Sequence, residues 1–458
     1  MNLPKMVNPL SRQGSPVVVM LVLAATLAGC GGPANEVPAL IVGATCKGAS
    51  LHCMMENGTL VAEGLAIDSA PNVAFLVKDL SVPLSIRGAA IHNAGTAIQI
   101  DGTCPICPVE VTNATLGARD YGVLLGAGGP VRSDVIFRHT TVVAERTGTT
   151  TRTQNGTVGM DGIGFYLLDM ATSLILDDVH ITAASTTNGR AVWERQGGAV
   201  LVASNLTIDH IGRAIVGDWS ALALSDVKID CVFDAIWANN PKVEAHRLRI
   251  ANCLRDFPGC DFKCGAAVNL FGNGFANPDQ EAAFKGLDLI DNVSGMVIGN
   301  YARVTIQDFN VQGGSDGIFI GFARDLELSD GSVRDQEKHG AVVGVDRMAV
   351  TRVNFHHNGF AKPSPDIGAG LDVRGFDENG NPLPGPRAIH QSSFTNNTPF
   401  GLISGFNDLK MDAANNWWGS PLGPSPGTPA ALGNPPVPGF GDMVAGPALT
   451  EPHLTAPP

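Results

Sequence analysis

The chain reads as an all-β solenoid, and three observations carry that reading. A glycine followed three residues later by an apolar side chain recurs down most of its length, at intervals as short as 22 or 23 residues. Between these points run short segments of alternating apolar and polar residues, broken by Gly, Asn, Asp and Thr. No stretch shows the helical period over the ten or so residues that an α-solenoid unit needs. Self-similarity at a fixed spacing of this size means stacked supersecondary units, each covering the apolar face of the next.

The first thirty residues stand apart from the repeat. Lys5 and Arg12 give a positive start, and Val17 to Ala28 is an apolar run of the length of an export signal. The run ends in Leu27-Ala28-Gly29-Cys30, which resembles the lipobox of bacterial lipoproteins. The resemblance implies cleavage before Cys30, lipidation of that cysteine and attachment to a membrane through the lipid. Gly31, rather than an aspartate, follows the cysteine, which in such proteins points to the outer membrane. An ordinary signal peptide or one membrane span is the alternative, although the run is short for a span. The expected division is therefore a signal peptide over 1–29, a tether over 30–44, the solenoid over 45–424 and a Pro/Gly-rich tail over 425–458 packing on the last coil.

The chain beyond the tether is long enough for two globular domains or one elongated array, and no shift of composition divides it. The net charge is −13 and there is no basic block, which argues against a nucleic-acid partner. A monomer is expected. Eight cysteines follow Cys30 in a chain expected to see oxidising conditions, so disulfides are expected. Cys46 and Cys53, Cys104 and Cys107, and Cys260 and Cys264 are near neighbours. Cys231 and Cys253 are one repeat apart, and stacked strands would bring their Cα atoms to about 4.8 Å, within bridging range. Cys104-Pro105-Ile106-Cys107 has the spacing of a redox motif, but it lies between β-type repeats, which favours a structural bridge. Cys253, Cys260 and Cys264 lack the tight four-ligand pattern of a zinc site.

The repeat glycines are Gly95, Gly122, Gly162, Gly189, Gly212, Gly265, Gly295, Gly317, Gly340, Gly370 and Gly401, with Asp234 standing in once. In the unit starting at Gly317, Gly317–Ile320 is a strand, Leu326–Leu328 a second, Ser329-Asp330-Gly331 a corner, and Val333 opens a third segment. Setting the corners in register gives a column of Asp178, Asn205, Asp226, Arg247, Asp308, Asp330 and Arg352. Asp226 with Arg247, and Asp330 with Arg352, are placed to pair across rungs. Corner Asp and Asn commonly satisfy turn backbone groups; a Ca²⁺ site of stacked carboxylates is the alternative, and the arginines weaken it. No other cofactor is expected.

Asn415-Asn416-Trp417-Trp418-Gly419-Ser420-Pro421-Leu422-Gly423-Pro424 resembles the closing motif of many bacterial right-handed parallel β-helix proteins of the pectate-lyase-like group. Phe355-His356-His357-Asn358-Gly359 and Phe394-Thr395-Asn396-Asn397 resemble the repeat of that group. The resemblance runs from about residue 70 to 424 and implies a single-stranded right-handed parallel β-helix of about twelve coils. Trp417 and Trp418 then read as a cap on the last coil. The group holds polysaccharide lyases, hydrolases and epimerases as well as non-enzymatic surface proteins, so the fold leaves the activity open.

Long coils locate the insertions. Leu254 to Cys264 and Gly272 to Lys285 flank one strand, and Gly359 to Ala369 and Phe376 to Pro386 flank another. These two walls are about 19 Å apart at the spacing of stacked strands. The floor between them has Ile298, Ile320 and Val343 inward and Val297, Phe319 and Val342 outward, so it carries no ionisable group. A uronate lyase needs a base and a cation there, and a glycosidase needs two carboxylates. Asp316 and His339, just before two floor strands, are the candidates for acid–base work. At the rim, Arg303, Arg324 and Arg347 recur with Tyr301 and Phe322 nearby. They read either as partners of Asp325 and Asp346 or as contacts for an acidic polysaccharide, with aromatics stacking on sugar faces. The leading expectation is a non-catalytic surface or polysaccharide-binding lipoprotein; a carbohydrate-active enzyme and an adhesin or matrix component are the alternatives.

Overall fold

The structure is a computed structural model that describes residues 38–48, 51–145, 162–253, 265–273, 277–361, 368–374, 383–404, 411–426, 441–445 and 448–458. Cys30, Cys260, Cys264 and the threonine-rich segment 147–157 lie outside the described residues. The described residues form a parallel β-solenoid of about twelve turns, as the repeat predicts. Strands pair in parallel with the strand one coil away. Among the described residues, only two hairpins near the start, Ala39–Val42 with Thr45–Lys47 and His52–Glu56 with Thr59–Glu63, are antiparallel.

Three faces make up a coil. Strand Ser294–Gly299 lies on the first. Strand Arg303–Gln312 supplies the second, bends at Asp308 and continues as the third. Ile298 pairs with Ile320 and Ile320 with Val343, and all three are buried in the core. Alternation along each strand thus sends one apolar set inward, where it stacks rung on rung.

The pairing registers correct the glycine alignment. Gly122, Gly295, Gly317, Gly340, Gly370 and Gly401 share one column, but the residues level with them elsewhere are Ala97, Gly164, Ala191, Ala214, Ala235 and Ala267. Gly95, Gly162, Gly189, Gly212 and Gly265 stand two residues early, and Asp234 one. The column needs a small side chain because it lines a tight corner. A Cβ on Gly317 would run into the carbonyl oxygen of Gly340 and sit 2.7 Å from Val333 Cγ1.

The corner column is also explained by geometry. Asp178, Asn205, Asp226, Arg247, Asp308, Asp330 and Arg352 all have φ between 51° and 57°. Asp and Asn tolerate this left-handed conformation better than other non-glycine residues. Gly286 fills the same corner in the coil between Arg247 and Asp308. The two arginines are held by bidentate bonds, Arg247 donating to Asp226 and Arg352 to Asp330.

Buried polar groups and aromatics close the far end. Asn358 Oδ1 accepts from the Gln336 amide, while its Nδ2 donates to the Val333 carbonyl and to Asn397 Oδ1. Asn397 Nδ2 in turn donates to the Phe355 carbonyl. Beside them Phe355, Phe394 and Trp418 form one stack, with centroids 5.1 and 4.7 Å apart. Trp418 is fully buried and caps the core as expected, whereas Trp417 is half-buried and bridges to Ser393 through its backbone. Strand Gly441–Ala445 then pairs with Phe400–Ser404. Three disulfides form among the described residues: Cys46–Cys53, Cys104–Cys107 and Cys231–Cys253. The last joins adjacent rungs at a Cα separation of 5.0 Å.

Candidate functional site

On the first face, Val297, Phe319 and Val342 do form one outward column. Val297 and Val342 are nevertheless buried, and Phe319 is half-buried. Much of the expected walls, namely 254–264, 274–276, 362–367 and 376–382, lies outside the described residues. Asp316 and His339 occupy adjacent rungs at the start of this face, and His339 Nδ1 is 3.1 Å from Asp316 Oδ1. Both side chains are largely covered, at 14% and 11% exposure. Ser294 is the neighbour of Asp316 on the opposite side. The carboxylate therefore stands between hydroxyl and imidazole, whereas a nucleophile relay needs the imidazole in the middle.

The arginines do not stack on one another. Pairing places Glu281, Arg303, Asp325 and Arg347 in one column of the second face, so a carboxylate separates the two cations. Arg347 Nε lies 2.6 Å from Asp325 Oδ1, and Arg303 Nη1 lies 3.6 Å from Glu281 Oε1. Arg324 precedes Asp325 by one residue and falls outside the column. Asp346 accepts the Gly385 amide through Oδ1. Tyr301 has no exposed surface; its hydroxyl donates to the Pro241 carbonyl at 2.9 Å, and burial pushes the phenol pKa upward. It is a core residue and offers no face to a sugar. Phe322 sits half-buried at a corner with φ 61°, level with Asn300.

What the arginines do line is a groove. Arg303, Asp325 and Arg347, with Thr305, Glu327 and Ala349, border a depression of about 540 Å³ on the second face. A second depression of about 360 Å³ adjoins it at Thr305 and is lined by Lys242, Glu244, His246, Glu281 and Lys285. Val243 pairs with Ala282, which sets Lys242 beside Glu281. The column thus reads Lys242, Glu281, Arg303, Asp325, Arg347, alternating in sign over five rungs, a length of about 19 Å. Among the described residues, no group of three His, Cys, Asp or Glu side chains is placed to hold a metal ion.

A second cluster escaped the sequence reading. Tyr121, Tyr166 and Trp193 stack on the outer side of the first face, with centroids 5.3 and 4.5 Å apart. The Arg190 guanidinium lies 3.7 Å over the Trp193 ring, and Arg195 Nη1 donates to the Tyr166 hydroxyl at 3.1 Å. Arg190 pairs in register with Arg213, and Arg213 with Asp234, whose carboxylate is 3.3 Å from Arg213 Nε. Burial and the neighbouring Arg213 charge pull the Arg190 pKa down to about 10, and burial raises that of Asp234. The signal was present: Tyr166, Trp193 and Trp237 each stand two residues after the small residue of the corner column. With the register set on glycine alone, those positions did not align.

Comparison of the chain with protein-family models, with curated proteins and with solved structures finds no match.

Proposed function

We propose that this chain is a cell-envelope lipoprotein, anchored through lipid on Cys30, whose solenoid binds a polysaccharide along its second face without cleaving it. The observation that carries the reading is the charge-alternating column in an open groove across several rungs. A groove of that shape accepts an extended chain, and guanidinium and carboxylate forks suit the paired hydroxyls of sugars. Its charges balance: Lys242, Lys285, Arg303 and Arg347 face Glu244, Glu281, Asp325 and Glu327. Such a surface favours a neutral, hydroxyl-rich glycan over the acidic one that three stacked arginines would take.

The test is retention of the purified mature chain in gels containing neutral or uronic-acid polysaccharides, with parallel assays for unsaturated products and new reducing ends. Retention without products is expected. Arg347→Ala should weaken it about tenfold, the loss of one charge-assisted contact. Product formation abolished by His339→Ala would instead establish the enzyme reading, for which the Asp316–His339 bond is the one favourable observation. No retention by any glycan would leave the adhesin reading.

A further inference from the structure

On the first face, Arg190 is charged, partly covered and, among the described residues, without a counter-ion. Nη1 of Arg190 is buried with no hydrogen-bond partner there. Its electrostatic neighbours among the described residues are the Arg213 cation and the Tyr166 phenol. Nearby carboxylates are committed elsewhere. Asp234 bonds Arg213 and the Gly265 amide, and Glu194 accepts the backbone amides of residues 196, 197 and 218. The Trp193 ring under the guanidinium offsets part of the charge. It supplies no acceptor to the buried N–H, and two guanidinium groups on adjacent rungs repel.

We propose that Arg190 and Arg213 form a binding site for an oxyanion, a sulfate or carboxylate group, seated against Trp193. The planar fork of arginine matches such a group and would gain both a charge partner and the missing acceptor. The site is on a different face from the groove and does not depend on it.

Thermal unfolding of the intact mature chain tests this, with sodium sulfate or sodium acetate against sodium chloride at matched ionic strength. Sulfate or acetate should raise the midpoint of the wild type by several degrees. Arg190→Met should keep only the general salting-out shift of sulfate and lose the rest, and in chloride alone should unfold no earlier than the wild type, because it removes an uncompensated charge. Arg190→Lys keeps the charge but lacks the fork, and should bind at least tenfold more weakly. Arg352→Gln, at a corner outside both sites, should respond as the wild type does. Dextran sulfate against dextran then separates sources: binding of the sulfated polymer with no response to free sulfate assigns the group to a glycan. Equal responses of the wild type and Arg190→Met, or no response of the wild type to any of these anions, would overturn the site.

Discussion

Gly317 and Ala191 occupy the same corner position in different rungs, yet only one of them has room for a methyl group. At Gly317 the added Cβ runs into a backbone oxygen, and a backbone atom in a sheet cannot swing aside. Gly317→Ala should therefore lower the unfolding free energy by about 1–3 kcal/mol, the usual range for overpacking. Ala191→Gly should cost only about 1 kcal/mol, from backbone entropy and lost contact. Denaturant unfolding of the two variants compares them. Asp234 gives a pH prediction. Burial raises its pKa above the unfolded value, so the folded chain binds the proton more tightly. Its contribution to stability is then fullest at acid pH and declines as pH rises through the raised pKa. Asp234→Asn, which does not titrate, should gain on the wild type in melting temperature as pH rises above the ordinary carboxylate range; a loss relative to the wild type over that rise would contradict the assignment.

At the scale of the elements, the coil depends on corners as much as on strands. Asn358 serves the Gln336 amide and the Val333 carbonyl at a buried corner, so Asn358→Ala leaves both unsatisfied. A loss of about 2–4 kcal/mol is expected, roughly the cost of two orphaned groups. Replacing Cys231 and Cys253 together removes a cross-rung link closing 22 residues and should cost about 3 kcal/mol. Much of this architecture was legible in the sequence. The strands, the column of corner residues and the Cys231–Cys253 pairing follow from spacing and residue type, and the Trp418 cap from the resemblance of the closing motif. What was not legible was the register. Alanine fills the tight corner at Ala97, Ala191, Ala214, Ala235 and Ala267, and a rule keyed to the first glycine of each coil slips by two residues in five coils, taking Gly162 for Gly164 among them. A two-residue slip keeps inward and outward faces, so the fold survives it. It misplaces neighbours, however, which hid the Tyr166–Trp193 stack. The arginine column failed for a related reason: Arg324 is one residue out of phase, and one residue turns a side chain to the other face.

Across the whole molecule, the solenoid converts a one-dimensional repeat into columns whose chemistry is set rung by rung. The second face alternates cation and anion where a uronate-binding surface would accumulate cations. That alternation stabilises the face through its own pairs, each worth little when exposed, and it leaves a charge-balanced groove along the axis, the surface proposed to bind a polysaccharide. The consequence is a distinct salt response, since binding that releases no net charge is nearly insensitive to screening. The most direct measurement is the affinity of the mature chain for one polysaccharide backbone in two forms, uronic acid and carboxyl-reduced, over a range of salt concentrations. The neutral form is predicted to bind at least as tightly, with little dependence on salt and with a loss on Arg347→Ala. Tighter binding of the acidic form that weakens steeply with salt, or binding untouched by Arg347→Ala, would contradict the account.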